Sequence, residues 1–160
     1  MDISPDYEDL FKLLNEHKIK YLVVGAYAVM YYSAPRFTKD IDIWISSEEN
    51  DPEKILKVIA EYGSPVKGLR PQDFLNKRMI LQIGVSPVRI DILLDLPRLS
   101  FSSAWKNRKR SKYGETPIHV LGLKELIQAK KEAGRPQDKL DLERLLESSN
   151  RNARKFRKKR

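Results

Sequence analysis

The stretch that decides the fold runs from Val23 to Ile45 and reads VVGAYAVMYYSAPRFTKDIDIWI. It holds a glycine after an apolar run, a short segment of helical character, and then Asp40 and Asp42 inside a second apolar run. Side chains alternate between the two faces of a strand, so we expect both aspartates to point to the same face. Carboxylates at this spacing repel each other, and a divalent cation bound by oxygen ligands would relieve the repulsion.

A third carboxylate lies in a second strand-like segment. The sequence VRIDILL, from Val88 to Leu94, places Asp91 among apolar and β-branched residues, with Arg89 two positions earlier on the same face. The apolar run at Met79–Val85 precedes it across a short loop, which predicts an antiparallel hairpin. Three carboxylates from two adjacent strands can hold two Mg²⁺ ions about 4 Å apart, the arrangement used for in-line phosphoryl or nucleotidyl displacement.

Composition excludes several other kinds of site. A chain of 160 residues suits a single domain with a core of its own. The absence of cysteine excludes disulfides, thiol nucleophiles and cysteine-ligated metals. The only histidines, His17 and His119, have no companions nearby in the sequence, and we expect ordinary surface or strand-edge residues. The sequence shows no signal peptide and no apolar run of membrane-spanning length, so we expect a soluble, cytoplasmic protein.

The net charge of +9 is concentrated in two places. Seven of the last ten residues, RNARKFRKKR, are Lys or Arg, and a second basic cluster covers Lys106–Lys112. Such clusters are typical of surfaces that bind a polyanion, and RNA is the partner that we expect at both. A run of charge that only keeps the chain soluble is the alternative interpretation.

The order of the apolar patterns predicts an α+β fold, with a mixed sheet and helices packed mainly on one of its faces. Strands are predicted at Ile19–Val24, Thr38–Ile45, Met79–Val85, Val88–Leu94 and Pro117–Leu121. Helices are predicted from Pro5 to about His17, at Ala26–Tyr32, at Pro52–Tyr62, at Leu123–Ala133, and from Pro136 with an apolar face of Leu140, Leu142, Leu145 and Leu146. Asp95–Tyr113 is expected to be irregular, with Trp105 anchored in the core. Residues 1–149 are expected to form one domain, and residues 150–160 a basic, disordered tail.

The motifs together resemble those of the nucleotidyltransferase superfamily typified by DNA polymerase beta. They are VVGA at Val23–Ala26, DID at Asp40–Asp42 and IDI at Ile90–Ile92. The segments PRFTKDID at Pro35–Asp42 and KKEAGRPQD at Lys130–Asp138 are similar to a small prokaryotic branch, the nucleotidyltransferase toxins of abortive-infection and toxin–antitoxin systems. The resemblance covers about residues 19 to 147, and its specificity comes from the order and spacing of the motifs.

The resemblance implies roles for the three aspartates. Asp40 and Asp42 would ligate two Mg²⁺ or Mn²⁺ ions, and Asp91 would complete the site and help to activate the incoming hydroxyl group. Unrelated surface carboxylates on the sheet are the alternative.

The resemblance also implies a site for the triphosphate. Gly25 would let the backbone approach the phosphates at a helix N-terminus, and Arg36 and Lys130 would neutralise phosphate charge. The superfamily usually has Gly-Gly or Gly-Ser here, whereas Ala26 offers no hydroxyl group to a phosphate. Alternatives remain open: Gly25 could simply end a strand, Arg36 could pair with Asp40 or Asp42, and Lys130 could lie on a solvated helix face. For Asp138, a charge at a helix N-terminus is favoured over a catalytic role.

The function that these implications support is a magnesium-dependent nucleotidyltransferase, which moves NMP from an NTP such as ATP to a hydroxyl acceptor. RNA, and the tRNA 3′ end above all, is the expected acceptor, and a cognate toxin or antitoxin protein is an expected partner. Two alternatives remain: nucleotide transfer to a protein side chain, as in AMPylation-type antitoxins, or a catalytically silent module that binds RNA or protein.

Overall fold

The computed structural model of the chain describes residues 3–36 and 38–159. Met1, Asp2, Arg160 and Phe37, the last a member of the Pro35–Asp42 motif, lie outside the described residues. In chain order the elements are α1 (Pro5–Glu16), β1 (Leu22–Val24), α2 (Gly25–Tyr32), β2 (Asp40–Trp44), α3 (Pro52–Tyr62), a 3-10 turn (Pro71–Leu75), β3 (Ile80–Ile83), β4 (Arg89–Leu93), α4 (Phe101–Lys106), β5 (Lys109–Tyr113), β6 (Thr116–Val120), α5 (Leu123–Ala133) and α6 (Pro136–Lys158).

The six strands form one mixed sheet with the order β3-β4-β2-β1-β6-β5. Strand β2 runs parallel to β4, and β1 runs parallel to β6, while the other neighbouring pairs are antiparallel. The hairpin predicted from the sequence is present as the antiparallel pair β3–β4. The mixed sheet with its helices confirms the predicted α+β class.

Alternation along β2 places the aspartates as the sequence predicts. Ile41 and Ile43 are buried in the core at 1% and 0% exposure, whereas Asp40 and Asp42 are half-buried on the other face. Val24, the last residue of β1, stands opposite Asp42 in the antiparallel pair. The turn from β1 into α2 therefore begins beside the aspartates.

Large aromatic side chains from distant parts of the chain fill the core. They are Phe11, Tyr21, Trp44, Phe74 and Phe101, each with less than 2% of its surface exposed. Burial of that much apolar area is the main stabilisation of the sheet and fixes the strands that carry the aspartates. Among the described helices, none has both the length and the apolar character that crossing a membrane requires.

The prediction that Asp95–Tyr113 is irregular was wrong. This segment contains the helix α4 and the edge strand β5, which pairs with β6. In β5 only Tyr113 is buried, so the alternation of apolar and polar residues that marks a half-buried strand is missing. Lysine and arginine on an edge strand also discourage pairing with other chains, which explains why a strand can have this composition. Trp105 is only half-buried, with the Arg108 guanidinium 3.9 Å from its ring centroid.

The predicted apolar face of α6 was wrong in part. Leu145 is fully buried, but Leu140 and Leu146 are 51% and 43% exposed. The buried stripe begins instead with Asp138 and Asp141, two turns and one turn before Leu145 on the same face. Buried acids follow the same helical spacing as leucines, so the periodicity of apolar residues alone could not identify this face.

Helix α6 also continues through most of the segment that was predicted to be disordered. It ends at Lys158, and the side chains of residues 151–159 are all exposed. Arginine and lysine are good helix formers, and cations in the last turn interact favourably with the C-terminal end of the helix dipole. The helix is thus longer than predicted, and the division into a domain of residues 1–149 and a basic tail stays a prediction.

Candidate active site

Three carboxylates converge where β2 and β4 run side by side. The parallel register places Asp42 opposite Asp91 and Asp40 opposite Arg89. One carboxylate oxygen from each aspartate lies within 4.8 Å of the other two. The prediction that Asp40, Asp42 and Asp91 share one location follows from strand periodicity, and the structure brings the three together.

This cluster is electrostatically costly without a cation. Burial, together with the charges of Asp40 and Asp91, raises the pKa of Asp42 to about 7. Asp91 is only 9% exposed, and its Oδ1 is buried without a hydrogen-bond partner in the part of the chain that the structure describes. A buried carboxylate oxygen without a donor is unusual. Three hard oxygen donors, one of them unsatisfied, fit a divalent cation such as Mg²⁺.

Arg89 supplies positive charge in direct contact with the cluster. Its Nη2 donates to Asp40 Oδ2 at 2.5 Å and to Asp91 Oδ2 at 3.0 Å. One guanidinium nitrogen therefore bridges carboxylates from both strands. In this position Arg89 does part of the electrostatic work of a bound cation.

Gly25 is the point where α2 meets the carboxylates. Its φ is +63°, a conformation that side chains other than glycine rarely adopt, and a Cβ on this residue would collide with Asp42 Oδ2. The resemblance implied a glycine that lets the backbone approach a phosphate. The structure adds a second reason for glycine at this position, which is the close approach of Asp42. Ala26 lies in the first turn of α2, where backbone N–H groups have no partner within the helix, and Val24 provides no side-chain cap.

The cleft is also lined by a network of charges at the junction of α5 and α6, in which Lys130, Asp138 and Asp141 are buried. Lys130 Nζ lies 3.1 Å from Asp138 Oδ1 and 3.1 Å from Asp141 Oδ2. Arg36 Nη2, from the segment between α2 and β2, donates to Asp141 Oδ2 at 3.1 Å. Arg135 Nε donates to Asp138 Oδ2 at 2.7 Å.

Asp138 also caps α6, which confirms the favoured prediction of a charge at a helix N-terminus. Its Oδ2 accepts a hydrogen bond from the backbone N–H of Arg135 at 3.1 Å. Burial tends to raise the pKa of Asp138, but hydrogen bonds from Arg135 and Lys130 outweigh it and lower the pKa below its usual value. The carboxylate is therefore ionised at neutral pH.

One cleft of about 430 Å³ contains every site residue that the sequence predicted. These residues are Gly25, Ala26, Arg36, Asp40, Asp42, Asp91 and Lys130. The structure shows that these residues lie in one cleft. Their roles in binding and catalysis stay predictions. The alternative of a solvated Lys130 does not fit, because this side chain is buried. Arg36 forms an ion pair with Asp141.

Sequence reasoning missed two features of the cleft. The bridge made by Arg89 was not expected, although its position on the same face as Asp91 was the signal for it. Asp141 was overlooked because the inward face of α6 was assigned to leucines alone. Its signal is the spacing from Asp138, since acids three positions apart lie on one face of a helix.

Three solved structures are similar to this chain over most of its length. Neither a protein-family model nor a curated protein matches the chain. A candidate nucleotidyltransferase from Thermotoga maritima is similar in structure with a TM-score of 0.60 and 19% identity, over 99% of this chain and 97% of its own. The lincosamide antibiotic adenylyltransferase LnuA, with lincomycin bound, has a TM-score of 0.57 and 14% identity, over 91% of this chain and 98% of its own.

A third structure agrees with these two. ANT(2'')-Ia in complex with adenylyl-2''-tobramycin has a TM-score of 0.55 and 10% identity, over 87% of this chain and 84% of its own. The three comparisons cover most of both chains in each case. The chain therefore has the nucleotidyltransferase fold.

Replacing Arg89 with methionine tests its role as the internal counter-ion. We expect Arg89→Met to lower the melting temperature of the metal-free protein, because three clustered carboxylates lose their bridging cation. Adding Mn²⁺ should then raise the melting temperature of the variant more than that of the unchanged protein. Differential scanning calorimetry with and without Mn²⁺ measures both effects.

Arg78→Met is the matched control, since Arg78 is exposed and forms no ion pair within residues 3–36 and 38–159. It should change neither the melting temperature nor the response to Mn²⁺. Equal melting temperatures and equal Mn²⁺ responses for Arg89→Met and the unchanged protein would show that the bridge contributes nothing.

Proposed function

We propose that this chain, whose fold is that of the nucleotidyltransferases, transfers a nucleoside monophosphate from an NTP to a hydroxyl group and releases pyrophosphate. The observation that carries the proposal is the cluster of Asp40, Asp42 and Asp91, whose carboxylate oxygens lie within 4.8 Å of one another in a cleft. A silent binding module would gain no stability from three such carboxylates. The cluster therefore favours an enzyme.

In the proposed reaction the acceptor oxygen forms a bond to the α-phosphorus, and the bond from that phosphorus to the leaving pyrophosphate oxygen breaks. Two Mg²⁺ ions held by Asp40, Asp42 and Asp91 would supply charge stabilisation to the attacking and leaving oxygens. Asp91 Oδ1 is a buried carboxylate oxygen without a hydrogen-bond donor among the described residues, and it is suited to accept the proton of the hydroxyl group. The same cluster would serve with Mn²⁺.

The triphosphate would lie between the N-terminus of α2 and the cationic wall of the cleft. The first turn of α2 offers free backbone N–H groups, and the positive end of the helix dipole favours an anion there. Arg36 and Lys130 line the same cleft and provide positive charge close to it. Because Ala26 has no hydroxyl group, phosphate binding would depend more on these two cations than on the side chain after the glycine.

RNA is the acceptor that we propose, with the tRNA 3′ end as the leading case. Lys106, Lys109, Arg110 and Lys112 are exposed at the end of α4 and on β5, and the last turns of α6 carry further exposed cations. Lys109 pairs with Val120, whose neighbour Leu121 lines the cleft. The basic edge of the sheet is therefore close to the cleft along β6, as an RNA that reaches the cleft would require.

A small-molecule hydroxyl group is the second candidate acceptor. It is favoured by the similarity to LnuA with bound lincomycin and to ANT(2'')-Ia with adenylyl-2''-tobramycin. The net charge of +9 would disfavour a cationic small molecule by long-range repulsion. Transfer to a protein side chain is a third candidate, and a place in a toxin–antitoxin pair rests only on the motifs at Pro35–Asp42 and Lys130–Asp138.

A label-transfer experiment tests the proposed reaction. The protein is incubated with Mg²⁺ and each of the four α-labelled NTPs, in the presence of total RNA, lysate protein, lincomycin or tobramycin. We expect label in RNA. Loss of a residue that only hydrogen-bonds to a metal ligand lowers activity by up to roughly a hundredfold, and Asp42→Asn, which changes a proposed ligand itself, should lower the label by more than that. Electrophoresis, nuclease digestion and chromatography separate the labelled products.

The control is Asp9→Asn, an aspartate on α1 outside the cleft, which should transfer label normally. Label in protein or in an antibiotic would overturn the choice of RNA but not the reaction. No label in any acceptor from a folded protein would overturn the reaction itself.

Removing residues 151–160 tests the contribution of the basic end of α6. The truncated protein should bind RNA more weakly, with a shallower dependence of affinity on salt, because each lost phosphate contact removes about 0.7 from the log–log slope for single strands. Fluorescence anisotropy with labelled tRNA at several salt concentrations gives the slope. A full-length variant with the seven cations of this segment replaced by glutamine should behave as the truncation does.

Lys54→Gln with Lys57→Gln on α3, a helix that contributes no residue to the cleft, provides the matched control for loss of charge. If the truncated protein keeps the full salt slope, this segment does not contact RNA.

A further inference from the structure

Asp141 joins three separate parts of the chain through one carboxylate. Its Oδ2 lies 3.1 Å from Arg36 Nη2, which comes from the segment before β2, and 3.1 Å from Lys130 Nζ on α5. Its Oδ1 accepts a hydrogen bond from Gln137 Nε2 at 3.2 Å, one turn earlier on α6. The side chain of Asp141 has no exposed surface, and that of Lys130 is 9% exposed.

A buried ionic network of this kind is weak evidence of a stabilising role. Removing charges from water carries a large penalty, and well-packed apolar residues often stabilise such a position as well or better. The junction of α5 and α6 already has its own connections, the helix end at Gly134 and the capping of α6 by Asp138. The packing of α5 against α6 therefore does not by itself require Asp141.

The position of the network inside the cleft suggests what it is for. Arg36 and Lys130 line the same cleft as Asp40, Asp42 and Asp91, and opposite charges across it attract each other. The charges of Lys130 and Arg135 already act on Asp42, where they oppose the rise of its pKa. Asp138 also pairs with Lys130, whereas Asp141 pairs with both Lys130 and Arg36. Without Asp141, these flexible cations would be drawn toward the three carboxylates.

We propose that Asp141 is a positioning residue that holds Arg36 and Lys130 at its own side of the cleft, where they bind the triphosphate and stay out of the carboxylate cluster. The inference rests on the proposed nucleotidyl transfer, because the triphosphate is the ligand of that reaction. One acid that fixes two cations from different segments also reduces the side-chain entropy lost when the anion binds. Asp141 itself touches neither substrate nor metal in this scheme.

Binding of inorganic tripolyphosphate measures this role directly, without any reaction. Asp141→Asn keeps the shape of the side chain and its contact with Gln137. It removes the acid paired with Arg36 and one of the two acids paired with Lys130, the other being Asp138. We expect isothermal titration calorimetry to show affinity lower by about ten- to a hundredfold, the effect of losing a charge-assisted contact. In the transfer assay KM for the NTP should rise by a similar factor, with kcat changed much less.

Two further variants separate positioning from simple structural damage. Glu143→Gln removes an exposed acid two residues along α6 and should leave tripolyphosphate binding unchanged. Asp141→Glu, which retains the charge, should recover most of the affinity lost in Asp141→Asn. Unchanged tripolyphosphate affinity in a folded Asp141→Asn protein would overturn the proposal.

A double-mutant cycle with Arg36 keeps the proposal testable if Asp141→Asn does not fold. Arg36→Gln alone should weaken tripolyphosphate binding by about the same factor, and the double variant should lose little more than either single one. Full affinity in Arg36→Gln, or additive losses in the double variant, would overturn the role of Asp141 as the residue that positions Arg36. Tripolyphosphate binding that needs Asp141, in a protein without transfer activity, would contradict the proposed function and leave this inference standing.

Discussion

Repulsion among three carboxylates is the constraint on which the rest of the structure depends. The parallel register of β2 and β4 places Asp42 opposite Asp91, and the oxygens of the cluster lie within 4.8 Å of one another. Arg89 bridges two of the carboxylates, and further cations line the same cleft. Gly25 provides the space that Asp42 needs where it approaches α2. A divalent cation bound by the three carboxylates would relieve this repulsion.

Much of this site could be predicted from the sequence, because strand periodicity is a strong signal where a strand is buried on one face. The pattern of Asp40, Ile41 and Asp42 assigned opposite faces to acids and isoleucines, and burial in the structure follows that assignment. Asp91 was placed with them by the same rule, and the hairpin that precedes it was predicted from the spacing of two apolar runs. The meeting of distant motifs in one cleft came from the resemblance, which periodicity alone could not supply.

The features that the sequence analysis missed are those where charged residues occupy positions that are usually apolar in a strand or a helix. Strand β5 is an exposed edge strand with Lys109, Arg110 and Lys112. Its sequence pattern therefore predicted an irregular basic segment. Asp141 is buried on a helix face that should carry leucine by its spacing, and only its partners Arg36 and Lys130 explain it. The ion pair of Arg36 with Asp141 joins positions 105 residues apart, and such a pair leaves no periodic trace in one sequence.

The metal-binding capacity of the carboxylate cluster is tested most directly by calorimetric titration with Mn²⁺ in the presence of a non-hydrolysable NTP analogue. Asp40, Asp42 and Asp91 should together bind two ions per chain, and Asp42→Asn should bind fewer ions with lower affinity. The absence of Mn²⁺ binding by the folded, unchanged chain, or binding that is the same in Asp42→Asn, would contradict the assignment of the cluster as the metal site.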